Sequence, residues 1–130
     1  MSGKQKSQRE RITQYILDTY GTEAEYLWAD SPNFAVFRHL SSKKWYGIIM
    51  DVPSDKLGLP GKELVDVLNI KCSTVMIGAL LSEEGFLPAY HMNKDHWISI
   101  LLDGTVPDKQ IFPLLELSYD RPIFPFANQQ

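Results

Sequence analysis

One cysteine occurs in the whole chain, and no apolar run approaches the length of a membrane span. The lone Cys72 cannot form an internal disulfide, so the fold has to be held by its core, and a reducing compartment suits it. Crossing a bilayer as a helix takes ~20 consecutive apolar residues, and nothing here comes close. The opening stretch Met1 to Arg11 is polar and lacks the apolar segment of a secretory signal. Missing too are GxSxG, a phosphate-binding P-loop, a dinucleotide GxGxxG, CxxC and HExxH. These absences predict a soluble, cytoplasmic protein that is not an enzyme, needs no cofactor and has no membrane partner.

What is present is core-forming material. The 130 residues are 44% hydrophobic, 12% aromatic and 22% charged, enough for one domain that buries a core without disulfides or metal. The net charge of −3 is unevenly spread. Residues 1–11 hold Lys4, Lys6, Arg9 and Arg11 against Glu10, a balance of +3. The rest has 9 basic and 15 acidic side chains of the total 13 and 16, a balance of −6. Duplex DNA repels such an acidic body, which leaves only a local basic patch for nucleic acid.

Ile12, Tyr15, Ile16 and Tyr20 recur at helical spacing, with Gly21 as the stop. Residues 1–8 ahead of this helix are expected to be mobile. Tyr26, Leu27 and Trp28 lie in an irregular acidic stretch and are expected to fold back as core cover. Phe34 to His39 and Trp45 to Met50 read as a β-hairpin around Ser41-Ser42-Lys43-Lys44. Leu64 to Lys71 reads as a third strand. Asp66 and Asn69 break its alternation, so a bulge or slip of face is expected between them. Ser73 or Thr74 caps a second helix striped by Met76, Ala79 and Leu80 and ended by Gly85. Phe86 to Met92 is partly extended, and Trp97 to Leu102 is a strand. Pro107 opens a last helix with Ile111, Leu114, Leu115 and Ser118 on one face, and Pro113 inside it predicts a kink or a break. Residues 121–130, with Pro122 and Pro125 among Ile123, Phe124 and Phe126, read as an extended tail.

The order α-β-β-β-α-β-β-α predicts an α+β, two-layer fold over residues 1–120, an antiparallel sheet with helices packed on it. At Leu87 to Leu102, LPAYHMNKDHWISILL, the chain resembles the MmcQ/YjbR family. VFRH with KKWYGIIMD, KLGLPGKELVDVLNIKC and DGTVPDKQIFPLLELSYD carry the same resemblance almost to the carboxy-terminal end. It implies a fold similar to that of type III secretion chaperones, with DNA binding through a double wing of β-hairpins as the activity proposed for such proteins. No enzymatic activity is established for them.

Two candidate sites emerge. Arg38, His39, Lys43 and Lys44 gather positive charge at one hairpin, a shape suited to a nucleic-acid groove, and Lys94 could add a phosphate contact. The plainer reading, preferred given the −6 body, is that lysines at a hairpin tip keep an exposed edge soluble. Lys4, Lys6, Arg9 and Arg11 could form an arm, although a solvated terminus is the commoner case. The second candidate is a ligand patch of Tyr90, His91, Asn93, His96 and Trp97, with the aromatics for stacking and the histidines as donors. Against it, Asn93 and Asp95 are turn formers and Trp97 begins a buried strand. His91 and His96 are five apart, which points them to opposite faces of a strand or ~140° apart on a helix, so no metal is expected. Cys72 could pair with His91 as a thiolate, but a lone buried thiol is the simpler view. Phe34, Phe37, Trp45, Tyr46, Trp97, Met76, Leu80 and Leu81 read as core. The chain is expected to be a small binding module for DNA or, alternatively, a protein-interaction or chaperone-like domain. A monomer or weak homo-oligomer is expected.

Overall fold

The structure, a computed structural model, describes residues 6–120. The expectations for residues 1–5 and for the 121–130 tail lie outside them. The elements are helix α1 (Gln8–Tyr20), strands β1 (Ala35–Arg38) and β2 (Trp45–Pro53), a single 3₁₀ turn (Ser54–Leu57), strand β3 (Leu64–Lys71), helix α2 (Thr74–Leu80), strands β4 (Phe86–Pro88) and β5 (Trp97–Leu101), and helix α3 (Asp108–Asp120). This is the α-β-β-β-α-β-β-α order of an α+β domain. All strand pairs are antiparallel, in the spatial order β1-β2-β3-β5-β4.

The helices cover one face of the sheet. Ile12 and Ile16 of α1, Ile77 and Leu80 of α2, and Ile111, Leu114 and Leu115 of α3 pack on Phe37, Ile49, Leu68, Ile70, Ile98 and Ile100. The opposite face carries its own apolar set, Val36, Ile48, Met50, Val52, Val67 and Leu101, roofed by loop residues instead of a helix. That loop-covered face is where the candidate site lies.

Several local expectations meet a more detailed picture. Ser7 and Gln8, at the end of the stretch expected to be mobile, make hydrogen bonds to the fold. Ser7 Oγ accepts the Glu10 N–H at 3.1 Å and Glu10 Oε1 accepts the Ser7 N–H at 2.8 Å, a reciprocal cap on α1. Gln8 is buried and ties α1 to the turn before α3: its Nε2 donates to the Val106 carbonyl and to Asp108 Oδ1, both at 2.8 Å, and its Oε1 accepts from Gly104 N–H at 2.9 Å.

Strand β3 pairs with even register on both sides and has no bulge. Its two polar residues are satisfied in place, Asp66 by Arg9 at 3.0 Å and Asn69 by Ser99 and Tyr90. The irregularity falls between β1 and β2, where Phe37 faces Gly47 and Arg38 faces Trp45. Tyr46 is the extra residue. Counting by twos from Ile48 would set Tyr46 on the loop side and Trp45 under the helices. The bulge reverses both: Tyr46 joins the helix-side core and Trp45 the loop-side cluster.

Helix α3 runs unbroken through Pro113. The acceptor that loses its partner there is the Lys109 carbonyl, and both residues lie on the exposed side, where water can replace the missing bond. Ile111, Leu114, Leu115 and Ser118 are buried as their spacing predicts. Helix α2 ends at Leu80, short of Gly85, and Leu81 is 40% exposed, so it is not core. No helix among the described residues is long and apolar enough to cross a membrane.

Candidate functional site

The basic hairpin forms as expected, and Lys43 takes a left-handed backbone (φ 67°) at its turn. Its charge is smaller than its sequence suggests. The Arg38 guanidinium lies in a two-pronged contact with Glu25, with Nε to Oε2 at 2.9 Å. That hydrogen bond, with the attraction between the charges, holds the Glu25 carboxyl below its usual range. His39 stacks between Tyr119 (4.3 Å) and Tyr46 (5.0 Å), and burial, reinforced by repulsion from Lys71, lowers its pKa below 6.5. It is therefore neutral at pH 7. Of the four residues, Lys43 and Lys44 carry the hairpin's uncompensated charge. The proposed basic arm is likewise reduced, since Arg9 pairs with Asp66 (3.0 Å) and Arg11 with Asp108 (2.7 Å).

The second patch does not assemble as one surface. Trp97 has no accessible area, which excludes it as a stacking platform. Its ring lies 5.8 Å from the Lys71 ammonium, and its Nε1 meets no acceptor among the described residues. Asn93 builds the turn that launches β5, accepting the Asp95 N–H at 2.8 Å on Oδ1 and the Trp97 N–H at 3.0 Å on its carbonyl. The His96 carbonyl accepts the Cys72 N–H at 2.9 Å, a backbone role. Lys94 is exposed beside Lys56, Leu57 and Leu87, away from the hairpin lysines. Among the described residues no three His, Cys, Asp or Glu side chains converge.

Tyr90, His91 and Met92 have another role. They form one wall of a groove of about 860 Å³ on the loop-covered face. A buried polar pair in the sheet sets this wall. Ser99 Oγ donates to Asn69 Oδ1, Asn69 Nδ2 donates to the Tyr90 carbonyl (2.9 Å), and Ser99 Oγ accepts the Tyr90 N–H (3.0 Å). The loop thereby crosses the sheet, and the next residue, His91, is held at φ 60°, a left-handed conformation unusual for a residue with a side chain. Such strain persists only where the surroundings enforce it, and it is concentrated at functional loops.

Loop 26–34 makes the other wall. Trp28 stands edge-on to Phe34 (6.1 Å) and to Trp45 (6.0 Å). The loop is tied down at both ends. Glu25 and Val36 exchange backbone hydrogen bonds of 2.9 Å, and Asn33 donates to Asp51 (3.0 Å) while its carbonyl accepts from Arg9 (2.8 Å). Ile48 and Met50 make the floor. Leu27 and Leu64 stay 47% and 64% exposed at the mouth, and Trp28 39%. The stretch 26–28 does fold back over the sheet, yet as a half-open wall and not as buried cover.

Among the described residues, two carboxylates, Asp30 and Asp51, line this groove together with the His91 imidazole, and no Lys or Arg does. Asp51 accepts from a neutral amide, so its charge is not cancelled. Sequence reasoning placed Phe34 and Trp45 in the core, and only the bulge at Tyr46 turns Trp45 toward the groove.

The chain matches the YjbR family over residues 17–121. It belongs to that family. The Bacillus subtilis (strain 168) uncharacterized protein YyaQ is 47% identical over 111 residues, 85% of this chain and 94% of the relative. The Escherichia coli (strain K12) uncharacterized protein YjbR is 44% identical over a shorter stretch, 28% of this chain and 30% of its own length. The crystal structure of a Pseudomonas syringae protein superposes with a TM-score of 0.82 at 41% identity, covering 85% of this chain and 94% of the other. A Deinococcus radiodurans protein with a DUF419 domain shares the fold at TM-score 0.60 and 24% identity, over 82% of this chain and 72% of its own.

Proposed function

We propose that this YjbR-family protein is a non-enzymatic binding module that takes a short protein segment into the loop-side groove. An apolar or aromatic side chain of the segment sits between Trp28, Trp45 and Tyr90, and a neighbouring Lys or Arg faces Asp30 or Asp51. One observation carries this reading: half-open aromatic walls whose lining, among the described residues, includes the carboxylates Asp30 and Asp51 and neither Lys nor Arg. An amphipathic aromatic lining gives large contact area at low entropic cost, the usual make-up of a peptide-binding cleft. Phosphate would be repelled from the same groove.

The alternative, a duplex-binding wing, has less support. With Arg38 paired and His39 neutral it rests on Lys43 and Lys44, and two phosphate contacts give a salt slope of about −1.8 and little affinity.

A phage-displayed random dodecapeptide library selected on the purified protein tests the proposal. The expected outcome is a consensus with an aromatic or Leu anchor within a few positions of Lys or Arg. Its synthetic peptide should shift the indole N–H resonances of Trp28 and Trp45 and leave that of Trp97 in place. No consensus, an acidic consensus, or shifts confined to the hairpin would refute it. Binding of a mixed-sequence duplex lost on Lys43→Ala with Lys44→Ala would favour the wing instead.

A further inference from the structure

A second hollow lies beside the groove and carries charge of the opposite sign. It encloses about 320 Å³ between the 3₁₀ turn and the loop that follows β4. Lys56, from that turn, and Lys94, from the loop, line it together with Leu57 and Leu87, and among the described residues no Asp or Glu does. Both lysines are exposed, and neither enters an ion pair among the described residues. Their sequence neighbours Asp55 and Asp95 lie outside the lining.

The two hollows share one partition. Tyr90 and His91 line both, their rings 3.9 Å apart. This ridge is fixed from below, because Tyr90 is fastened to Asn69 and Ser99 and His91 follows it at φ 60°. The lysine backbones are held as firmly. Ser54 opens the 3₁₀ turn by donating its N–H and its Oγ–H to the Glu63 carbonyl, at 2.9 and 2.7 Å. The Asn93 carbonyl accepts the His96 and Trp97 N–H groups at 3.2 and 3.0 Å, closing the turn around Lys94. Carboxylates on one side of the ridge thus stand opposite ammonium groups on the other. The hollow beside the hairpin has no such polarity, since Glu23 and Glu25 line it with Arg38 and Lys43.

That polarity discriminates between ligands. A segment crossing the ridge with its cation in the groove gains attraction at both ends if it carries an acid on the far side. Laid in reverse, it meets like charge at both ends. Exposed pairs of this kind are individually weak, so they govern direction and register more than total affinity. We infer that the hollow between Lys56 and Lys94 is a carboxylate subsite, which takes an Asp or Glu of the bound segment and sets the direction in which that segment enters the groove. The inference rests on the groove being a peptide site, as proposed above.

The test uses the full chain and the dodecapeptide selected on it. The consensus is expected to hold an Asp or Glu at a fixed spacing from the anchor, on the side away from its Lys or Arg. A Lys56→Glu, Lys94→Glu variant should bind that peptide at least about fivefold more weakly, with the Trp97 indole resonance unmoved to certify the fold. Exchanging the acid of the peptide for Lys should restore binding to this variant. A Lys43→Glu, Lys44→Glu variant makes the same change of net charge at the hairpin and should keep the affinity within about twofold. An acid-free consensus, equal affinity for the protein and the Lys56→Glu, Lys94→Glu variant, or equal weakening by both double variants overturns the inference. The groove reading stands in those cases as long as the Trp28 and Trp45 indoles still shift. Binding that leaves both indoles unshifted overturns the groove reading, and the carboxylate subsite with it.

Discussion

Replacing Asn69 by alanine should both destabilise the protein and disorganise the groove. Asn69 has no accessible surface and sits between Ser99 and the Tyr90 carbonyl. The substitution deletes two hydrogen bonds, each worth about 1 kcal/mol net. It also strands the Ser99 hydroxyl proton in the sheet, adding a desolvation cost of about 1–2 kcal/mol. The total, about 3 kcal/mol, is a large share of the ~5–15 kcal/mol that holds a domain of this size together. It corresponds to a melting point lower by roughly 10 °C. Urea unfolding followed by tryptophan fluorescence reads the first effect. The second is read at low temperature, where the variant is still folded: the Tyr90 to Met92 amide resonances should broaden or move while those of α1 and α3 stay. Adding Ser99→Ala should cost much less than its own single effect, because the stranded hydroxyl is then gone. A loss below about 1 kcal/mol with Tyr90 to Met92 unperturbed would refute the claim that this pair positions the groove wall.

Gln8→Ala removes three hydrogen bonds joining α1 to the turn before α3 and should cost about 2–3 kcal/mol in the same unfolding assay, a loss that a mobile residue would not give. Gly85→Ala should be as damaging by a different route. Gly85 has φ 93° and a Cβ there would lie 2.5 Å from Val106 Cγ2, so a cost above about 2 kcal/mol is expected, against no loss for Gly78→Ala, which lies inside α2 with open space at its Cβ. His39 makes stability depend on pH. Its folded pKa is below the unfolded value of 6.5, so its contribution is complete above pH 6.5 and is lost as pH falls below that. His39→Phe should flatten this part of the stability–pH curve, and an unchanged slope would show that another group produces it.

Most of the architecture was legible because each element depends on local signals. Apolar spacing marked α1 and the buried face of α3, the Ser41 to Lys44 turn marked the β1–β2 hairpin, and Ser73 marked the start of α2. The misreadings share a cause: each turns on a partner distant in sequence. Asn69 looks like a fault in β3 until Ser99 and Tyr90 are brought to it. Gln8 looks solvated until Gly104, Val106 and Asp108 surround its amide. Arg38 looks available until Glu25 pairs with β1. Of the candidate ligand patch, Tyr90 and His91 line the groove while Trp97 is sealed in the sheet. Trp28 and Trp45 carried a signal of sorts, aromatic residues in an acidic irregular stretch and at a strand start. Their meeting depends on a one-residue bulge that no periodicity reveals.

The most direct test of the groove as a peptide site is the titration of the selected dodecapeptide against the protein and its Asp30→Lys, Asp51→Lys variant, followed at the Trp28 and Trp45 indoles. Saturable shifts in the protein, weakened at least about tenfold by the charge reversal with the Trp97 resonance unmoved, are the predicted result. Equal affinity for both proteins, or saturable binding that leaves the two groove indoles unshifted, would contradict it.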